Sequence, residues 1–254
     1  MAEHSNVQSL DRAFDLLEAL CGSRNGMTIA ALSQRTGLHK STVHRLLASM
    51  CARGYVLRDE ETSIYRAGMR LCELAGCITD NMDVIDRARA PMERLGRETD
   101  ETIHLVMQDD CDIVYIHKVE SLSGGIRMFS RIGMRRPLYC TAVGKAILAT
   151  WPEDEAFALW QGSEVRACTA HTIVSEPEFL RELMRVRRQG YAVDNEETEL
   201  GVCCIAAAIP DYRGRASYAL SISAPLARMS DDRIDELRRP LLAARNEISV
   251  ALGG

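Results

Sequence analysis

Residues 28–52, TIAALSQRTGLHKSTVHRLLASMCA, carry two helical repeats of apolar residues separated by a glycine. Thr28 stands where an N-cap belongs, Ile29 and Leu32 share one helical face, and Gly37 ends the segment. A second segment runs from about Lys40 to Ala52, with Val43, Leu46, Leu47 and Met50 facing inward and Gly54 as its stop. Two helices joined by a short turn containing glycine are the helix-turn-helix signal.

On the N-terminal side, Leu10, Ala13, Phe14, Leu17 and Leu20 fall at helical spacing behind Ser9 as cap, and the run from Gly22 to Gly26 closes this first helix. On the C-terminal side come the β-formers Tyr55 to Arg58, the acidic turn Asp59 to Thr62, and Ser63 to Arg66, a hairpin pattern. Three helices followed by a hairpin is the order of a winged helix-turn-helix.

The outward positions of the third helix are Lys40, Ser41, Thr42, Arg45 and Ser49, with His44 close by. Lys and Arg neutralise phosphate or donate to guanine, and Ser and Thr reach phosphates or base edges at short range. Arg35 on the preceding helix and Arg66 on the wing are candidate phosphate clamps. The bland alternative, a solvated face of a small bundle, would leave the agreement of helix order, turn glycine and wing to coincidence. Charge leans the same way: residues 1–70 hold nine Lys and Arg against seven Asp and Glu, while 71–254 hold 22 against 29.

Further along, 67–80 reads as a linker helix and Val84 to about Thr99 as another, with Pro91 either restarting or kinking it. Thr102–Met107 and Ile113–Val119 read as strands around the turn Asp109 to Asp112, and Ile126–Ser130 as a third strand. Helices are expected at Ala142–Thr150, Asp154–Trp160 and Glu176–Gln189, and strands at Cys204–Ile209 and Ser217–Ser223. A last helix is capped at Ser230, with a kink at Pro240. Antiparallel strands with flanking helices make the C-terminal part α+β. The expected organisation is a DNA-binding domain over 1–66, a linker helix over 67–82 and a second domain over 83–254.

The bulk numbers limit the function classes. A hydrophobic content of 46% and a charged content of 26% are those of an ordinary globular chain. No apolar run is long enough for a bilayer, and the acidic first twenty residues lack a secretory pattern, so a cytoplasmic protein without a membrane partner is expected. Nine cysteines, with no CxxC, argue against a disulfide framework, and the five-residue spacing of Cys72 and Cys77 suits no zinc knuckle. No metal and no cofactor are expected.

These features resemble the IclR family of bacterial regulators. The likeness rests on Lys40-Ser-Thr-Val-His-Arg-Leu-Leu47, on Gly54-Tyr-Val56, on Pro137-Leu-Tyr-Cys-Thr-Ala-Val-Gly-Lys-Ala146 and on Gly190-Tyr-Ala-Val-Asp-Asn-Glu-Glu197. Glu101–Ser121 and Met128–Gly133 are most similar to the sugar-acid catabolism regulators within it, of the KdgR and YiaJ type. The resemblance implies a GAF-like effector-binding domain, double-stranded operator DNA as partner, a homodimer or dimer of dimers, and more readily a repressor than an activator. One departure is His39, where relatives often carry Ser as helix cap; a histidine is expected to cap poorly.

The resemblance also implies a ligand pocket, and the residues say what would suit it. Thr141-Ala142-Val143-Gly144 opens a helix whose first N–H groups favour negative charge. Ser221 and Ser223 alternate along a strand, so both hydroxyls point one way. Asp194 can accept from ligand hydroxyls. Together they fit a small carboxylic acid, such as a 2-keto-3-deoxy or aldonic acid. By motif, the family's effector positions carry over to Ala142, Val143, Asp194, Cys204, Ser221 and Ser223, with Met128 as a wall.

Two other readings compete. One is an enzyme with Cys140 or Cys204 as nucleophile and His104 or His117 as base; no GxSxG, Walker or GxGxxG motif supports it. The other is a DNA-bound scaffold whose C-terminal part binds only protein.

Overall fold

Thr28 and Gly37 bracket the second helix as their chemistry dictates. The computed structural model describes residues 7–80, 83–121 and 129–254, and the chain divides into two compact units, Met1–Asn81 and Met82–Gly254. In the first unit, α1 is Gln8–Cys21, α2 is Ile29–Thr36 and α3 is Lys40–Ala52. The Thr28 hydroxyl accepts the N–H of Ala31 at 3.3 Å, and Gly37 ends α2 with a φ of 70°. Ser9 is not the cap of α1: the helix starts at Gln8, two residues earlier than a Ser9 cap would place it, and Val7 occupies the cap position without a side-chain bond. His39, by contrast, does cap α3. Its Nδ1 accepts the N–H of Ser41 at 3.4 Å and lies 2.8 Å from the Ser41 hydroxyl.

The wing is β1, Val56–Arg58, paired antiparallel with β2, Tyr65–Ala67. β2 begins later than the pattern of β-formers suggests, because Ser63 adopts a φ of 53° that no strand accommodates. The Asp59 carboxylate accepts the N–H groups of Glu61 and Thr62 and holds the turn. Tyr65 also exchanges backbone hydrogen bonds with Met27, both 2.9 Å, which ties the wing to the segment before α2. Leu16, Leu32, Val43 and Leu47 are fully buried beneath it, each such side chain contributing roughly 1.5–3 kcal/mol. The next helix, α4, is Arg70–Asp80 rather than starting at Ala67. Ala67 belongs to β2, and Gly68 is pressed onto the backbone of Gly54, where a Cβ would lie 2.1 Å from the carbonyl oxygen.

The second unit is a six-stranded antiparallel sheet between helices, the α+β arrangement expected. Its strands are β3 (Thr102–Asp109), β4 (Asp112–Val119), β5 (Arg135–Pro137), β6 (Ala192–Asn195), β7 (Val202–Pro210) and β8 (Ala216–Pro225), in the order β5-β4-β3-β8-β7-β6. Helices α5 (Asp83–Thr99) and α9 (Asp231–Ala251) cover one face, over Ile103, Leu105, Ile205 and Ile222. Each runs through its internal proline, Pro91 and Pro240, as one helix. Helix α6 (Ala142–Leu148) covers the other face, backed by α7 (Glu153–Gly162) and α8 (Glu176–Gln189).

The strand expected at Ile126–Ser130 falls mostly on 122–128, outside the described residues, and Phe129 and Ser130 are not in a strand. The edge strand of this region is β5 instead, two arginines and a proline, which offers no β-former to read. No helix among the described residues is long and apolar enough to cross a membrane.

Candidate DNA-reading helix and effector pocket

On α3, Lys40, Ser41, His44, Arg45 and Ser49 are exposed, whereas Thr42 is half-buried; Arg35 and Arg66 are exposed too. Among the described residues the ion pairs of this unit are Arg58–Glu60 and Arg70–Glu73, so Lys40, Arg45 and Arg35 are in none, though Asp15 and Glu18 line the same surface hollow as Arg35. Arg66 donates from Nε to the Asn25 carbonyl at 3.4 Å, a long bond that leaves its terminal nitrogens available. The Ser41 hydroxyl is turned toward His39 Nδ1, so its proton stays within the cap.

In the second unit, the sheet face beneath α6 holds a cavity. Ala142, Val143, Asp194, Cys204, Ser221 and Ser223 all line it; Met128 lies outside the described residues. Strand register explains the convergence. Asp194 is opposite Cys204, Cys204 opposite Ser223, and Ser221 opposite His104, across four neighbouring strands. Residues directly opposite one another point to the same face.

His104, read from the chain only as a conceivable base, is the centre of this floor. Its Nδ1 lies 3.2 Å from the Ser223 hydroxyl and 3.5 Å from that of Ser221, and its Nε2 lies 2.6 Å from the Ser130 hydroxyl. The ring sits edge-on to Tyr115 at 4.9 Å. Complete burial, with the nearby Lys118 charge adding to it, depresses its pKa from 6.5 to about 3. A neutral imidazole has one donor and one acceptor nitrogen, so the serine hydroxyls orient around it and keep hydrogen-bonding capacity facing the cavity.

Asp194 has a more structural position than its sequence context suggests. Its Oδ1 accepts the Glu197 N–H at 2.7 Å, and its Oδ2 accepts the Thr198 hydroxyl at 2.7 Å, fastening the loop after β6. Burial raises its pKa. At the mouth of α6, Thr141 Oγ1 accepts the Gly144 N–H at 3.1 Å. Gly144 is required there, since a Cβ would stand 2.0 Å from the Leu138 carbonyl oxygen. Helix α6 has only seven residues, so its dipole is small and ligand charge depends more on side chains. Among the described residues, the cationic side chain lining the cavity is Arg136, from β5, which the sequence reading did not single out.

Residues 9–60 match the IclR helix-turn-helix domain and residues 77–250 match the bacterial transcriptional regulator IclR C-terminal domain. The chain belongs to the IclR family. It is 42% identical to the HTH-type transcriptional regulator KdgR of Escherichia coli K12, covering 98% of this chain and 94% of that one. It is 36% identical to the DNA-binding transcriptional repressor YiaJ of the same organism, covering 97% and 88%. The crystal structure of the Thermotoga maritima IclR superposes with a TM-score of 0.83 at 31% identity, over 98% of this chain and all of that one (100%).

As an IclR-family member the protein is a DNA-binding transcription regulator and not an enzyme, and the geometry around its cysteines agrees. His104 pairs with Lys118 and His117 with Leu105, so the two histidines face opposite sides of the sheet and cannot act as one acid–base pair. Burial pushes the Cys140 and Cys204 thiols well up, away from the reactive thiolate.

Proposed function

We propose that this IclR-family regulator represses a carbohydrate or sugar-acid catabolic operon and responds to a small carboxylic acid, such as a 2-keto-3-deoxy or aldonic acid. In this reading the linker over 67–82 connects a DNA-binding domain over 1–66 to a sensing domain over 83–254. Lys40, Ser41, Thr42, His44 and Arg45 enter the major groove, and Arg35 and Arg66 hold phosphates. Thr42, being half-buried, contributes at its rim. The protein acts in the cytoplasm as a homodimer or dimer of dimers, because paired winged helices read paired half-sites. The repressor role is carried over from YiaJ.

The observation that carries the acid reading is the polar floor of the cavity: a neutral, buried His104 with Ser221, Ser223 and Ser130 around it. Uncharged donors in a largely apolar enclosure suit a hydroxylated carboxylate, which brings its own charge and several acceptors. Ligand and DNA each favour one arrangement of the chain, and each thereby biases binding of the other. The test is an electrophoretic shift of the promoter nearest the protein's own gene, with and without a panel of 2-keto-3-deoxy and aldonic acids. A salt-sensitive shift that at least one acid changes is expected. No shift under any condition would overturn the DNA-binding assignment, and a shift indifferent to every acid would overturn the effector assignment.

A further inference from the structure

Arg135 and Arg136 are neighbours on β5 with opposite fates. Arg135 donates to Asp109 Oδ2 at 2.6 Å and to Asp112 Oδ2 at 3.0 Å, closing the outer side of the β3–β4 turn. Alternation along the strand turns Arg136 the other way. It is half-buried, lines the cavity, and has no ion-pair partner among the described residues. The segment 122–128, Leu-Ser-Gly-Gly-Ile-Arg-Met, contains no acid that could supply one. Two carboxylates share the cavity lining with it. Asp194 is held by Glu197 and Thr198, and Glu199 is exposed at the rim, in no ion pair among the described residues. Neither forms an ion pair with Arg136, so its charge is available to something that enters the cavity.

Arg136 and the serine floor are also far apart. The sheet order places three strand steps between the β5 and β8 backbones, about 14 Å at roughly 4.8 Å per step, and the register adds distance along the strands: Arg136 lies opposite Ile113 and Ile113 opposite Gln108, four residues from the His104 that faces Ser221. A single carboxylate cannot occupy both ends.

We propose that the effector carries a second anionic group, bound by Arg136 at the β5 edge while its carboxylate or hydroxyls sit over Ser221 and Ser223. This rests on the sugar-acid reading and narrows it to a dianion with a terminal oxyanion opposite the acid group. A second carboxylate, as in an aldaric acid, and a phosphate monoester, as in a 6-phosphorylated acid, both present oxygens to the forked guanidinium.

The experiment is calorimetric titration of the full chain with matched compounds: gluconate, glucarate and 6-phosphogluconate, then 2-keto-3-deoxygluconate and its 6-phosphate. Wild type is compared with Arg136→Gln, Arg136→Lys and the double Ser221→Ala, Ser223→Ala variant. Thermal melts confirm that each is folded. In wild type one class of dianion binds at least about tenfold tighter than its monoanionic counterpart, about 1.4 kcal/mol; which class wins identifies the oxyanion. Arg136→Gln erases that ratio and Arg136→Lys retains part of it. Equal affinity for mono- and dianions in wild type, or a ratio that survives in Arg136→Gln, overturns the proposal. If the monoanions bind and the double serine variant loses them while no dianion is preferred, the sugar-acid reading stands and this inference alone falls. If none of the compounds binds wild type, the sugar-acid reading fails and the inference with it.

Discussion

Lys145 and Glu197 form a buried ion pair between α6 and the loop after β6, two elements that contribute walls to the cavity. The same ammonium donates to the Val193 carbonyl at 2.6 Å and approaches Glu182 at 3.3 Å, with Lys145 only 1% exposed. Burial works to raise the Glu197 carboxyl, and the adjacent ammonium opposes it. Replacing Lys145 with Met leaves Glu197 without its cation, while Glu182 keeps Arg185, and removal of one partner from a buried pair costs about 3–5 kcal/mol. Lys145→Met is therefore expected to lower the denaturant midpoint sharply, and adding Glu197→Gln to recover part of the loss. A double variant no more stable than the single one would show that the pair does not act as a unit.

His104 makes stability depend on pH in a defined window. Its pKa is about 3 in the folded chain against an ordinary 6.5. Between those values the unfolded chain binds the extra proton and the folded chain does not, so stability is present above 6.5 and is lost as pH falls. The slope contributed by one such group approaches about 1.4 kcal/mol per pH unit. Unfolding titrations between pH 4 and 7 should show His104→Asn with a shallower decline than wild type. Parallel curves would mean that the ring is not held neutral.

Arg45→Ala tests the reading of α3. The variant is expected to lose about 1–3 kcal/mol of specific operator binding if Arg45 contacts a base. If it contacts only phosphate, the salt dependence should instead flatten by about one ion's worth. In both cases acid binding by the second unit is retained. Unchanged affinity and unchanged salt slope would remove Arg45 from the interface.

The Ser221→Ala, Ser223→Ala variant tests the cavity floor from the other side. It should shift operator DNA like the wild type and fail to respond to the acid that releases the wild type. A normal response would exclude these hydroxyls from effector recognition.

The DNA-binding half was readable because its determinants are local. A cap three residues from the N–H it accepts, as with Thr28 and Ala31, or a left-handed glycine such as Gly37, follows from neighbouring residues and needs no fold around it. Misreadings there were also local: a valine took the place of a serine cap, and the left-handed Ser63 delayed a strand. His39 capped α3 because its unprotonated ring nitrogen accepts as a serine oxygen does.

In the second unit, residue chemistry and family motifs pointed to six positions that do line one cavity, but the partners that give the site its character came from distant strands. His104 meets Ser223 across 119 residues and Lys145 meets Glu197 across 52. Arg136 is distinguished from Arg135 only by which side of a three-residue edge strand it occupies, and no periodicity marks so short a strand. Hydrophobic spacing and capping chemistry thus specify which segments become helices and strands, since those energies arise within a few residues. Which polar groups share a buried face, and which charge is left without a partner, depends on strand order and register, which arise only when the sheet closes.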